Sequence, residues 1–225
     1  MRVVSHPPLP PLKTPRPRAG YIKTFGLLLL ILFIGALVAG FAALPLSPLA
    51  LNDPAQREAS TFKAQWQAGN IVVLIRHAER CDRSSNTCLG PADGITVSGR
   101  EEAGRVGAAL TTLGMSNSDV LTSPLTRTAQ TAQAMFNAPG TEQAWLHECG
   151  SKMVGDISAR KVAGRNLVLV THSGCISDIE AQMGFPHASV AEYTSALAAT
   201  LGADGQLKIL GVINAQDWKK LIARQ

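Results

Sequence analysis

Ile71-Val72-Val73-Leu74-Ile75-Arg76-His77 is a short, unbroken apolar run, rich in β-branched residues, that ends on two chemically active side chains. A run of this length and composition predicts a strand buried on both faces. Such strands belong to sheets covered by helices on both sides, where ligands collect at the carboxyl ends of the strands. Arg76-His77 falls at such an end. Asn166–Thr171, rich in Val and Leu, predicts a second buried strand, and Thr171-His172-Ser173-Gly174 marks its end. Residues 119–122 predict a shorter strand, after which Ser123-Pro124-Leu125-Thr126-Arg127 opens a helix. Three strand ends thereby bring His77, His172, Arg76 and Arg127 to one rim.

Outward from these strands, helices are expected over residues 55–68, 156–162, 175–183 and 215–223. Ser98-Gly99-Arg100-Glu101 reads as a capping box opening a helix to about residue 113. Ser123, with Pro124 at the first helical position, reads as the cap of a helix to about residue 136. Two late strands are expected near residues 193–201 and 206–212, joined through Ala203-Asp204-Gly205. This alternation predicts an α/β domain over residues 70–225, three layers (α/β/α) around a mostly parallel sheet. Trp66, Trp145 and Trp218 are expected to pack, His147 and His187 to be structural, and Arg83 to lie in a solvated loop.

The positive balance of the chain does not mark a nucleic-acid binder. Of 21 Lys and Arg, five (Arg2, Lys13, Arg16, Arg18, Lys23) precede residue 45, where no acid occurs. The remaining 16 meet 16 Asp and Glu, so the globular part is formally neutral and no nucleic-acid partner is expected. Residues 1–24 form a basic, Pro-rich tail, and residues 25–44 are twenty positions without a charge. Twenty helical residues reach about 30 Å, the thickness of a bilayer's hydrocarbon core. Basic residues on the N-terminal side predict a cytoplasmic tail, a signal-anchor helix through the inner membrane and a domain on the far side. A signal peptide cleaved near Gly40-Phe41-Ala42 is the alternative. Residues 45–69 then read as a linker and helix.

Cys81, Cys88, Cys149 and Cys175 follow this export signal. An even count in an oxidising compartment suggests disulfides, and four cysteines allow three pairings. Cys81–Cys88 would close a short polar loop with ease, which would leave Cys149–Cys175 as the second bridge. A zinc site is disfavoured, since no CxxC pair occurs.

The rim residues suit one ligand best. Two guanidinium forks and two imidazoles serve a dianionic phosphate. Arg127 would sit in the first turn of its helix, beside free backbone N–H groups that also favour an anion. An imidazole that is neutral at one nitrogen, with its other N–H held, can attack phosphorus and split hydrolysis into two easier displacements. The leaving alkoxide then needs a carboxylic acid.

At these residues the chain resembles the histidine phosphatase superfamily, relatives of the phosphoglycerate mutases. The family's Arg-His-Gly signature appears as Arg76-His77-Ala78, and its Thr-x-x-Gly turn as Thr96-Val97-Ser98-Gly99. Its Ser-x-x-x-Arg-x-x-x-Thr-Ala helix matches Ser123, Arg127, Thr131 and Ala132. Its second histidine matches Thr171-His172-Ser173-Gly174. The longer run from Arg76 to Leu89, with the apolar segment and the four cysteines, is similar to the bacterial lipopolysaccharide core heptose(II)-phosphate phosphatases.

The resemblance implies a phosphoglycerate mutase-like fold and a phosphomonoesterase acting through a phosphohistidine, without metal or cofactor. His77 would be the nucleophile, with Arg76, Arg127 and His172 holding the phosphoryl group. Arg80 matches a third arginine of the acid-phosphatase branch, although the Pro that follows there is absent. Leu146-His147-Glu148 matches the Leu-x-Glu acid of the mutase-like branch, so Glu148 is the expected proton donor, with Glu79, Asp82 and Asp93 behind it. The heptose-phosphatase group often lacks a Glu there. Ala78 in place of Gly asks for a turn without left-handed backbone, or for a modest shift. The short span 137–165 implies a small cap and an open pocket, unlike a mutase. The expected substrate is a phosphorylated small molecule or lipopolysaccharide core sugar, met in the periplasm. A phosphoprotein or phosphohistidine phosphatase, or an inactive phosphate-binding module, is the alternative.

Overall fold

The computed structural model describes residues 19–42, 47–53, 59–202 and 204–223. The basic tail before residue 19, the start of the helix expected at 55 and the turn residue Ala203 lie outside the described residues. The chain divides into two compact units, Met1–Leu44 and Pro45–Gln225.

The first unit holds helix α1, Ala19–Ala42. Phe25, Leu28, Leu32 and Phe33 stand exposed along it. Among the described residues, no helix is long and apolar enough to cross a membrane.

The second unit is built on a six-stranded mixed sheet. In chain order its strands are β1 Ile71–Arg76, β2 Ser118–Thr122, β3 Thr141–Glu142, β4 Asn166–Thr171, β5 Ala196–Leu201 and β6 Leu207–Ile213. Their spatial order is β3-β2-β4-β1-β5-β6. The first four run parallel, while β5 pairs antiparallel with both β1 and β6. β4 is buried throughout and β1 at every position but its last, as their continuous apolar runs require.

Alternate residues of β1 feed two cores, giving the three expected layers. Ile71, Val73 and Ile75 face one core with helices α2 (Ala59–Gln67), α3 (Val97–Leu113) and α4 (Thr126–Phe136). Val72 and Leu74 face the other, with α5 (Trp145–Glu148), α6 (Met153–Arg160) and α7 (Ser173–Gln182). Helix α8, Trp218–Ala223, closes the first core. The segment expected as a linker and helix, 45–69, contributes to this core: Leu51 of the linker and Phe62 and Trp66 of the helix are buried, and Leu51 N–H donates to the Val212 carbonyl at the sheet edge. All three tryptophans pack as expected.

Gly107 sets how closely α3 and α4 approach. A Cβ there would lie 2.1 Å from the Met135 carbonyl oxygen, so only glycine permits this crossing.

Two caps differ from expectation. Thr96, not Ser98, caps α3, its hydroxyl accepting from Gly99 N–H at 2.9 Å. Thr96 also donates to Glu79 at 2.7 Å, and Ser98 turns to the same carboxylate at 3.0 Å. A tertiary partner thus decides between two hydroxyls that local spacing does not separate. Likewise α4 starts at Thr126 with Leu125 at its N-cap position, and Ser123 makes no cap. Among the described residues the sheet is mixed: three of its pairings are parallel, in keeping with the mostly parallel expectation, and the two that β5 makes are antiparallel; β3 and α5 are additions.

Candidate active site

The crevice between β1 and β4 is where the sheet's connections part to opposite faces. β1 leads toward α3 on one side and β4 into α7 on the other, which opens the carboxyl edge there. Arg76 pairs in register with Thr171, and His77 N–H donates to the Thr171 carbonyl at 2.9 Å. Ser123 N–H extends β2 onto the Val170 carbonyl at 3.0 Å. Three adjacent parallel strand ends therefore deliver the four rim residues together, as the motif order anticipates. They line a polar cavity of about 550 Å3, which also holds Arg80, Arg83, Glu148 and Tyr193.

His77 is only 3 % exposed, and its Nδ1 lies 2.8 Å from the carbonyl oxygen of Ala78. A carbonyl can only accept, so Nδ1 carries the proton and Nε2 keeps its lone pair. Burial above all, helped by the nearby His172, Arg127 and Arg76, holds the His77 pKa down to about 3, against the Ala78 carbonyl, which raises it. The ring centroids of His77 and His172 are 5.3 Å apart. His172 Nε2 lies 2.8 Å from Ser123 Oγ, which explains why that hydroxyl does not cap α4. Burial, then the Arg127 charge, lowers His172 to about 3 as well. Both imidazoles are neutral at physiological pH. In an NMR titration their Cε1–H resonances are expected to keep neutral positions down to about pH 4; a His77 midpoint near 6.5 would contradict this environment.

Arg76 is held from two sides. Its Nη1 donates to the Ala191 carbonyl at 2.5 Å, and its guanidinium lies 3.9 Å over the centroid of the Tyr193 ring. Arg127 stands in the first turn of α4. Arg76 Nε, Arg127 Nε and His172 Nδ1 are buried without a hydrogen-bond partner. Three orphaned polar atoms in one cavity suit an anionic ligand that accepts several hydrogen bonds. Among the described residues, no cluster of three or more His, Cys, Asp or Glu could hold a metal ion.

The supporting motif residues have structural duties. Thr131 Oγ1 accepts from Ala78 N–H at 2.9 Å and donates to the Arg127 carbonyl at 2.6 Å, tying α4 to the loop after β1. Ala78 is not among the residues of positive φ, so its methyl group costs no backbone strain. Glu79 accepts from Thr96, Ser98, Ser84 and Asn86, and these bonds, Asn86 first, hold its pKa down to about 2. A carboxylate so committed does not donate a proton. Asp82 is chelated by Arg80 at 2.7 and 2.5 Å, and Asp93 accepts from Thr126 at 2.6 Å. Of the four acids considered, Glu148 lines the cavity; Asp178, which accepts from Gly150 N–H at 2.7 Å, lines it too.

Both disulfides form, Cys81–Cys88 and Cys149–Cys175, with Cα separations of 5.2 and 5.0 Å. The first closes the loop that bears Arg83; the second ties the residue after Glu148 to α7. His147, expected to be structural, lines the cavity with its ring 5.6 Å from His172. Arg83, expected in solvent, lines it too. Tyr193 was hidden within an expected strand, but the chain turns at Thr194 (φ 57) and the strand starts at Ala196. No local signal marks that tyrosine; its role depends on Arg76, 117 positions earlier.

Residues 72–150 match the family model described as histidine phosphatase superfamily (branch 1). The lipopolysaccharide core heptose(II)-phosphate phosphatase of Salmonella typhi is 39% identical over 113 residues, 48% of this chain and 55% of that protein. Its namesake from Salmonella typhimurium matches at the same identity and the same shares. The chain thus spans about half the length of the curated relatives it matches. A structure assigned as an alpha-ribazole-5'-P phosphatase from Escherichia coli superposes with a TM-score of 0.51. It is 18% identical, covers 65% of this chain and 98% of that one, and shows the shared fold.

Proposed function

We propose, from the premise that the chain carries a histidine phosphatase superfamily domain, that it is a phosphomonoesterase working through a phosphohistidine on His77. The observation that carries this reading is the His77 ring itself, neutral, buried and held through Nδ1 by the Ala78 carbonyl. Nε2 attacks phosphorus, the ester P–O bond breaks, and the leaving oxygen takes the proton of Glu148. A water then gives its proton to the Glu148 carboxylate and attacks the phosphohistidine. The P–N bond breaks, phosphate leaves and Nε2 regains its lone pair. Arg76 and Arg127 grip the phosphoryl oxygens throughout, with Arg80 at the edge of the grip. With Ser123 donating to Nε2, His172 keeps its proton on Nδ1, free for a phosphoryl oxygen.

The acid step has its own signature. Glu148→Gln is expected to slow hydrolysis of an alkyl phosphate by roughly 10²–10⁴-fold. In kcat/KM, which reports formation of the phosphohistidine, an aryl phosphate with an acidic phenol as leaving group should change little, although its breakdown step still uses Glu148 as base. Equal losses on both substrates would move the role to another group, Asp178 first.

The substrate class is a phosphorylated sugar of the lipopolysaccharide core. The names of the Salmonella relatives support it, as does a cavity much larger than a phosphoryl group. We read the domain as periplasmic, with the charge-free apolar stretch 25–44 as its inner-membrane anchor. The basic tail, the exposed apolar side chains of α1 and the two disulfides support that placement. Cells lacking the protein are expected to retain extra phosphate on core heptose, measured by mass spectrometry of released core. Unchanged core phosphate would remove this substrate and leave the phosphatase chemistry standing.

A further inference from the structure

The segment that holds Arg76, residues 189–195, also walls a second cavity, of about 270 Å3, remote from the catalytic histidines in its lining. Glu180 of α7 lines it, 2 % exposed, with Oε2 buried and without a hydrogen-bond partner. Glu192 adds a second carboxyl, while Ile176, Leu197 and Val212 make apolar walls. No Lys, Arg or His is among the lining residues. Nothing in the phosphatase mechanism uses this carboxyl.

We propose that this cavity binds a small organic ammonium ion, with Glu180 receiving its N–H groups and the aliphatic walls taking its hydrocarbon body. A buried carboxylate without a partner is costly, so such a group stays protonated or meets a cation. The lining offers acids and no base, which selects a positive ligand. Only two carboxyls line the cavity, and among the described residues no group of three or more His, Cys, Asp or Glu could hold a metal ion, so the apolar walls favour an organic cation. Burial holds the Glu180 carboxyl up at about 7, so near neutral pH it is only partly ionised, and a bound ammonium ion would favour the carboxylate. One wall is built by Ser47, whose Oγ accepts from Ser189 N–H at 2.9 Å, and by Pro48 and Ala50.

The test is calorimetric titration of the full chain in detergent, at constant ionic strength, with cyclohexylammonium, n-butylammonium and neutral cyclohexanol. Saturable one-to-one binding of the ammonium ions is expected, at least tenfold weaker in Glu180→Gln and unchanged in His77→Ala. Cyclohexanol should bind at least tenfold more weakly than cyclohexylammonium. Glu180→Gln removes a buried acid for a neutral isostere, and its phosphatase activity should stay within twofold of wild type, which reports its fold. If that variant fails to fold, Val190→Trp at the exposed wall blocks the cavity instead and should weaken binding likewise. Short-chain phosphatidylethanolamine against phosphatidylcholine separates a lipid headgroup from a free amine as the source of the ammonium. The proposal is overturned by no saturable ammonium binding, by equal affinity in Glu180→Gln, or by cyclohexanol binding as tightly as cyclohexylammonium. None of these outcomes depends on the phosphatase reading.

Discussion

His77→Ala is expected to lower kcat/KM for release of phosphate from a monoester by roughly 10³–10⁵-fold, the scale seen when a covalent nucleophile is removed. The loss should fall on kcat. Phosphate grip rests on Arg76, Arg127 and His172, so KM should move much less. The substitution removes a ring that sits between the β1 and β4 ends, but its backbone N–H still bonds the Thr171 carbonyl. The variant should therefore fold, and its thermal unfolding is the control. His77→Asn or Gln offers no nucleophilic nitrogen and should be as inactive. Retention of more than a tenth of wild-type activity in all three would place the nucleophile elsewhere.

Arg127→Ala carries the second large effect, roughly 10²–10³-fold in kcat/KM, because in this reading its half-buried guanidinium meets the charge that develops on the phosphoryl oxygens. Its Nε has no hydrogen-bond partner, and its burial depresses its own basicity, so it is set up for an anion that arrives with substrate. Arg127→Lys keeps the charge and loses the planar fork, and it should recover only part of the activity. Full recovery by lysine would mean that charge alone matters. Removing Arg127 should weaken inhibition by inorganic phosphate along with catalysis, which a purely structural role in α4 would not do.

The fold was legible wherever burial is dictated by local composition. Ile71–Ile75 and Asn166–Thr171 could be read as central strands because residues covered on both faces must be apolar at every position. The rim was legible for a related reason: Arg76, His77, Arg127 and His172 each follow a strand end, and strand ends in such sheets share an edge. Where long-range partners compete for one group, the sequence is silent. Thr96 and Ser98 offer equivalent hydroxyls two positions apart, and Glu79 selects between them. Ser123 has the chemistry of a cap, yet a histidine 49 positions later takes its hydroxyl. Tyr193 reaches the site only because β5 starts at Ala196 and the preceding loop folds over Arg76. The one-turn helix Trp145–Glu148 is too short to show a period, so Glu148 stands out only through the family resemblance.

The environment of His77 also explains why its imidazole is neutral beside Arg76 and Arg127. Burial and like charge both disfavour imidazolium, and the Ala78 carbonyl fixes which nitrogen keeps its proton. A protonated His77 would have no lone pair on Nε2 to form a P–N bond.

Trapping of the intermediate tests the central claim most directly. The protein is mixed with a ³²P-labelled phosphomonoester, quenched within milliseconds in alkali, and digested for mass spectrometry. The account predicts a label that survives alkali, is lost in acid, and maps to His77, with none in His77→Ala. Label on a serine or an aspartate, or burst-free phosphate release with no labelled protein and with inversion at a chiral phosphorus, would contradict it.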